Sequence, residues 1–73
     1  MGQIKNKVLL KKIAQNIKLL RQKHGITQED FYNDTNIHIA RIETAQGNIT
    51  VGTLDAICKY FTISITEFFK EIE

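Results

Sequence analysis

The sequence predicts an all-α protein, a compact bundle of five helices. Its 73 residues leave room for a single hydrophobic core. The chain has no proline and only four glycines, so few residues interrupt a helix. Apolar residues recur at steps of three and four, which is the period of an amphipathic helix. We therefore expect one domain over residues 1–73, with residues 1–5 disordered ahead of the first helix.

The first two helices are predicted from an apolar stripe and a capping signal. The first covers residues 6–23 and carries leucines and isoleucines along one face. Gly25 follows as its stop signal. Thr27 is predicted as the N-cap of a short second helix over 28–33, because a threonine followed three residues later by an acid approximates a capping box.

The third helix is predicted to follow a tight turn. Thr35 comes directly after an Asn-Asp turn signal and is a favoured N-cap residue. The third helix is therefore predicted over 36–45. Two short helices joined by a tight turn form the helix-turn-helix pattern.

The last two helices are again predicted from their N-caps. Thr50 caps a fourth helix that ends near Phe61. Ser64 begins a capping box of the form S-x-x-E. This box opens a fifth helix over 65–72.

The charge of the chain is divided unevenly. The net charge is +2, but residues 1–24 sum to +7 and residues 25–73 sum to −5. A basic first helix beside an acidic body suits an anionic polymer as partner. The alternative is a solvated helix face whose charge the acidic half balances. Charge alone leaves both interpretations open.

Several kinds of chemistry are excluded by residue type and spacing. Cys58, the single cysteine, rules out an internal disulfide and is expected in the core. His24 and His38 are isolated, and no glycine-rich phosphate loop is present. We expect no enzyme activity, cofactor, metal or small-molecule substrate. No apolar run approaches the ~20 residues of a membrane span, so we expect no membrane partner and a cytoplasmic location.

Three stretches carry a family resemblance: 20–31 (LRQKHGITQEDF), 40–43 (ARIE) and 53–65 (TLDAICKYFTISI). Their order and spacing resemble the lambda-repressor-like (Cro/XRE-type) helix-turn-helix DNA-binding family. That family has six residues between the apolar position held by Phe31 and the next N-cap. Only three separate Phe31 from Thr35. The resemblance therefore implies a shortened second helix or turn.

The end of the third helix also departs from the family. Ala45 stands where the family usually has the glycine that ends this helix. Alanine in left-handed geometry costs roughly 1 kcal/mol. We therefore expect the cap to move to Gly47.

The resemblance implies that the third helix lies in the DNA major groove. The base-reading positions fall on Asn36, Ile37 and Arg41. Arginine reads guanine, asparagine reads adenine, and isoleucine meets a thymine methyl. For Arg41 the alternative is a surface ion pair with Asp34 or Glu43. For Asn36 it is helix-start chemistry, and for Ile37 it is packing against the second helix.

Phosphate contacts are expected from polar residues around this helix. Gln28 resembles the family's phosphate-contacting glutamine, and its alternative is an ordinary first-turn residue. The resemblance also implies a buried ion pair of Arg21 with Glu43 that ties the first helix to the third. The further phosphate candidates have short polar side chains or lie in the loop: Thr35, His38, Thr44, Gln46 and Asn48.

The predicted function is a sequence-specific DNA-binding transcriptional regulator. We expect a homodimer that reads an inverted repeat in double-stranded DNA. Phe68, Phe69 and Ile72 either supply the dimer surface or close the core of a monomer. The alternative function is a protein–protein interaction module, such as the antitoxin-like subunit of a toxin–antitoxin pair. The acidic body and the shortened second helix or turn favour that alternative.

Overall fold

Five α-helices form the regular structure of residues 6–72, which are the residues that the computed structural model describes. The predicted all-α bundle is confirmed, and the expectation for residues 1–5 lies outside the described residues. The helices, in chain order, are α1 (Lys7–Lys23), α2 (Gln28–Thr35), α3 (Ile39–Glu43), α4 (Val51–Tyr60) and α5 (Ile65–Lys70).

The predicted helix-end signals between α1 and α2 are confirmed. Gly25 has a φ of 66°, and its N–H donates to the Gln22 carbonyl at 3.1 Å. Glycine suits this position because it has no Cβ to clash in left-handed geometry. Thr27 then caps α2, and Asp30 completes a reciprocal capping box. The chain therefore turns sharply between the two helices.

The boundary between α2 and α3 differs from the prediction. Thr35 is the last residue of α2 and does not cap α3. Its hydroxyl donates to the Phe31 carbonyl at 2.8 Å and accepts from the Ile37 N–H at 3.1 Å. Asn36 ends α2 with a φ of 63°, a left-handed conformation that asparagine tolerates. The prediction was wrong because a threonine hydroxyl can bond the carbonyl one turn back as readily as it caps a following helix.

The chain is shorter within α3, and not before it, than the family resemblance implies. His38 holds the N-cap position of α3, without a side-chain capping bond. Six residues therefore separate Phe31 from this N-cap, which is the spacing expected from the family resemblance. The second helix and the turn are consequently not shortened. Our prediction of a shortened second helix or turn is therefore wrong. The predicted span 36–45 is wrong at both ends, since α3 has only five residues.

The C-terminal end of α3 is also not where it was predicted. Ala45 adopts a φ of 57°, and its N–H donates to the Ile42 carbonyl at 3.1 Å. The left-handed residue therefore stays at Ala45 and does not move to Gly47. The strain of roughly 1 kcal/mol is accepted here.

Aromatic side chains occupy the centre of the core. The rings of Phe31 and Phe61 stack with centroids 5.7 Å apart, and Tyr60 meets Phe31 edge-on at 4.6 Å. Cys58 is buried as predicted, and burial raises the pKa of its thiol. The other members of the buried cluster are aliphatic or come from α5: Ile13, Ile17, Ile39, Leu54, Ile57 and Phe68.

The last helix closes this core. Phe68 is fully buried, and Phe69 and Ile72 are partly buried against the cluster. Asn16 of α1, which is also buried, donates from Nδ2 to the Phe68 carbonyl at 3.2 Å. Phe68 therefore belongs to the monomer core and is excluded from a dimer surface. The Asn16 contact was not predicted, because an asparagine within an amphipathic helix carries no signal of burial.

We expect Ala45→Gly to raise the free energy of unfolding by about 0.5–1 kcal/mol, because glycine removes the left-handed strain. Urea denaturation followed by circular dichroism measures the change. The matched control is Ala56→Gly in α4, which is exposed and lies in ordinary helical geometry. It should lower stability by about 1 kcal/mol. A loss of stability in both variants would contradict the strain at Ala45.

Candidate nucleic-acid interface

The residues from 39 to 48 form a ridge, which we call the α3 ridge. It comprises α3 and the loop that follows, and three surface grooves border it. One groove separates it from the C-terminal half of α1 and the start of α2. A second separates it from the start of α1, and a third lies on its loop side. Polar or cationic side chains on these grooves include Lys7, Lys11, Lys18, Gln28, Arg41, Thr44, Gln46 and Asn48.

Lysines of α1 line two of these grooves. Lys7 and Lys11 border the loop at 44–46, and Lys18 borders α3. Steps of four and seven residues return to one helix face, so the three lysines share that face. Within residues 6–72 none of them has an ion-pair partner. We predicted the positive charge of this helix but not its alignment on the α3 side, which the spacing would have indicated.

The expected ion pair between Arg21 and Glu43 is present and joins α1 to α3. Arg21 donates from Nε to Oε2 at 2.8 Å and from Nη2 to Oε1 at 3.1 Å. The two side chains are only 13% and 6% exposed. The hydrogen bonds to Glu43 raise the pKa of Arg21, although desolvation opposes them. A bidentate contact of this kind fixes orientation as well as distance.

Two further hydrogen bonds extend this pair. Arg21 donates from Nη1 to the Ile26 carbonyl at 3.0 Å, which holds the turn between α1 and α2. Gln28 donates from Nε2 to Oε1 of Glu43 at 3.1 Å. The glutamine amide is therefore part of the network, and the phosphate contact of Gln28 stays a prediction. A phosphate contact from Gln28 requires this bond to be exchanged.

Arg41 is exposed on the α3 ridge. The predicted alternative, an ion pair with Glu43 or Asp34, is wrong. Glu43 pairs with Arg21, and Asp34 accepts from the Tyr60 hydroxyl at 2.7 Å, which raises the pKa of Tyr60. Within residues 6–72 the Arg41 guanidinium has no hydrogen-bond or ion-pair partner. It is available to an external ligand.

The two other predicted base-reading residues do not lie on α3. Asn36 is exposed in the turn, where it ends α2, so the alternative of helix-start chemistry is also wrong. Ile37 is partly buried and packs against the core, in line with the structural alternative. Its carbonyl accepts from the Ile39 N–H at 2.9 Å, which leads the chain into α3.

The remaining phosphate candidates are divided between the turn and the ridge. The hydroxyl of Thr35 is engaged within α2 and the turn. The exposed ring of His38 lies against Tyr32, with centroids 4.7 Å apart. Three candidates are exposed on the ridge beside Arg41: Thr44, Gln46 and Asn48. The structure thus gathers the loop candidates around Arg41 and leaves Thr35 apart from them.

Other chemistry is not supported by the part of the chain that is described. Between residues 6 and 72, no three histidine, cysteine, aspartate or glutamate side chains are grouped to hold a metal ion. In the same range, no helix combines the length and apolarity of a membrane span.

We expect Arg21→Met to lower the free energy of unfolding by about 3 kcal/mol, because it leaves the buried Glu43 carboxylate without its cation. Urea denaturation measures the loss. Lys18→Met, at an exposed position on the same helix, is the control and should change stability by about 0.5 kcal/mol or less. The double variant with Glu43→Met should be more stable than Arg21→Met alone. A double variant that is less stable would contradict the proposed source of the loss.

Comparison with known proteins identifies the family. The helix-turn-helix family model matches residues 17–68, from the middle of α1 into α5. No curated protein and no solved structure matches the chain significantly. The matched region contains α2, its turn and α3, together with both partners of the Arg21–Glu43 pair. The chain belongs to the Cro/C1-type, lambda-repressor-like helix-turn-helix family of DNA-binding regulatory domains.

Proposed function

We propose that this protein is a sequence-specific transcriptional regulator that binds double-stranded DNA as a homodimer. Each copy places its α3 ridge in the major groove of one half of an inverted repeat. The observation that carries the proposal is the position of Arg41. It stands exposed on a ridge bordered by three grooves, and α1 lysines line two of them.

Base reading is assigned first to Arg41. A guanidinium without an internal partner is able to donate both arms of its fork to O6 and N7 of guanine. Asn36, exposed in the turn that precedes α3, is a second candidate and suits adenine. Ile37 supports the turn from beneath, since it packs on the core.

Phosphate contacts are assigned to the two flanks of the ridge. Thr44, Gln46 and Asn48 lie on the loop flank, with His38 at the start of α3. The lysines of α1 lie on the opposite flank and supply the positive charge that DNA binding requires. Contacts of this kind fix the register of the protein on DNA but do not read sequence. Specificity therefore depends on the few side chains that meet base edges.

The first test is selection from random duplex DNA at two salt concentrations, with sequencing of the bound fraction. We expect enrichment of an inverted repeat that contains guanine at a fixed position. Arg41→Ala should abolish the preference for that guanine, which is worth about 1–3 kcal/mol. Arg41→Lys is the matched control, because it keeps the charge but loses the bidentate fork. It should keep salt-dependent binding and lose the guanine preference.

A different result would overturn the proposal. Wild-type binding without enrichment, unaffected by Arg41→Ala, would exclude a sequence reader. No binding to DNA at low salt would exclude a DNA function altogether. The second outcome would leave a protein–protein interaction module, such as an antitoxin-like subunit, as the function to test.

We expect Lys11→Ala and Lys18→Ala each to reduce the slope of log affinity against log salt by about one. The reason is that each lysine releases about one counterion when it meets a phosphate. Fluorescence anisotropy with a labelled duplex measures the slope. Lys59→Ala is the control, because this lysine lies on α4 in an exposed pair with Asp55. An equal reduction by Lys59→Ala would show that net charge, and not the α1 face, determines binding.

A further inference from the structure

Two stacked rings bridge the turn between α2 and α3. The ring of Tyr32 lies against that of His38, with centroids 4.7 Å apart and planes inclined at 34°. Both residues are exposed, Tyr32 to 39%. A tyrosine that keeps so much of its surface in water contributes less to folding than a buried ring does. The pair therefore belongs to the surface of the helix-turn-helix unit, beside the α3 ridge.

Tyr32 contacts both ends of this turn. Its carbonyl accepts from the Asn36 N–H at 2.7 Å, which closes the end of α2. Its ring lies against His38, the residue that leads into α3. A stacked imidazole has fewer orientations open to it than a free one, so it loses less conformational entropy when it binds a ligand. Tyr32 thus orients the imidazole ahead of binding.

The imidazole nitrogens of His38 are unengaged. Within residues 6–72 neither nitrogen forms a hydrogen bond or an ion pair, and the side chain does not cap α3. The ionisable side chains of the two adjoining helices are Glu29, Asp30, Tyr32, Asp34, Arg41 and Glu43. Asp34 is bound by Tyr60 and Glu43 by Arg21. No carboxylate is therefore paired with His38 in the described part of the chain.

Arg41 lies one turn beyond this pair. Its backbone N–H donates to the His38 carbonyl at 3.1 Å, so the chain makes a single turn between the two residues. Both side chains are exposed. An imidazolium at this point adds a second positive charge next to the guanidinium. Two neighbouring cations suit a polyanion, whereas a neutral imidazole leaves the guanidinium as the only charge there.

We propose that Tyr32 positions His38 as a pH-dependent contact, in which the imidazolium donates to a DNA phosphate. The inference rests on the proposed DNA-binding function and adds proton uptake to it. A hydrogen bond from a cation to a phosphate is stronger than one from a neutral group. Histidine is the side chain whose charge ordinarily changes between pH 5 and 8. Because phosphate favours the protonated ring, binding takes up a proton, and DNA affinity falls as pH rises through this range.

Fluorescence anisotropy with a labelled random-sequence duplex, at about pH 6 and about pH 8 over a salt series, tests the contact. At about 0.1 M salt, wild type should bind about fivefold more tightly at the lower pH. Its slope of log affinity against log salt should be steeper there by about one, since one more phosphate is neutralised. His38→Gln should lose both differences. His38→Lys should keep the steeper slope at both pH values.

The other histidine of the chain supplies the matched control. His24 ends α1, and its ring lies against Phe61 with centroids 5.2 Å apart. His24→Gln removes one titrating imidazole, as His38→Gln does, but away from the turn between α2 and α3. It should keep the wild-type difference between the two pH values. Loss of that difference in His24→Gln would assign the proton to the wrong histidine and overturn the inference.

Two variants of Tyr32 separate positioning from a direct contact. Tyr32→Phe keeps the stacked ring without its hydroxyl and should retain the wild-type pH profile. Tyr32→Ala should weaken binding at the lower pH and change it little at the higher one. A purely structural loss would instead weaken binding equally at both, and circular dichroism checks that the variant stays folded. A Tyr32→Phe variant that behaves like Tyr32→Ala would overturn the positioning role.

The outcomes distinguish this inference from the proposed function. Wild-type affinity that is equal at the two pH values would overturn the His38 contact. A pH dependence that persists in His38→Gln would overturn it as well. Either result leaves DNA binding, and with it the proposed function, standing. Absence of DNA binding by wild type at both pH values and low salt would refute the proposed function and this inference together.

Discussion

The ion pair between Arg21 and Glu43 determines where the α3 ridge stands. A helix of five residues is too short to be stable alone, since forming its first turn already costs more than it returns. Its orientation must come from tertiary contacts. Ile39 anchors α3 in the core, and Glu43 ties its last turn to α1 through two hydrogen bonds. Because Arg21 also holds the Ile26 carbonyl, one guanidinium fixes α1, the turn before α2, and α3 relative to one another.

Local chemistry made much of this fold predictable from sequence. The capping boxes at Thr27 and Ser64 and the glycine after α1 specify helix ends through groups only a few residues apart. The two N-caps placed α2 and α5 correctly at their starts. The family resemblance added the Arg21–Glu43 pair, which joins residues that no local pattern connects. The family resemblance also placed Arg41 on the third helix, and Arg41 lies on α3.

The wrong predictions concern residues whose conformation depends on contacts with distant parts of the chain, or on a second local hydrogen-bonding partner. The Thr35 hydroxyl can either cap a following helix or bond the Phe31 carbonyl one turn back, and it does the second. This arrangement lets Ile37 and Ile39 pack on the core. Ala45 takes a strained conformation because α3 has to end there. Leu19 fits the apolar composition of α1, yet it faces outward because the core stripe passes on the other side of the helix. None of these outcomes follows from residue type or spacing alone.

The shortness of α3 explains why a single copy would read little sequence. Five residues of α-helix extend over about 7.5 Å, which is roughly the length of two base pairs. Arg41 is the charged side chain of that segment directed to solvent, since Glu43 is bound to Arg21. In the proposed function, phosphate contacts from the α1 lysines and the loop at 44–48, which line the grooves on the two flanks of the ridge, orient this short helix on DNA. In the proposed function, the specificity that so short a helix lacks comes from two copies that bind the two halves of an inverted repeat.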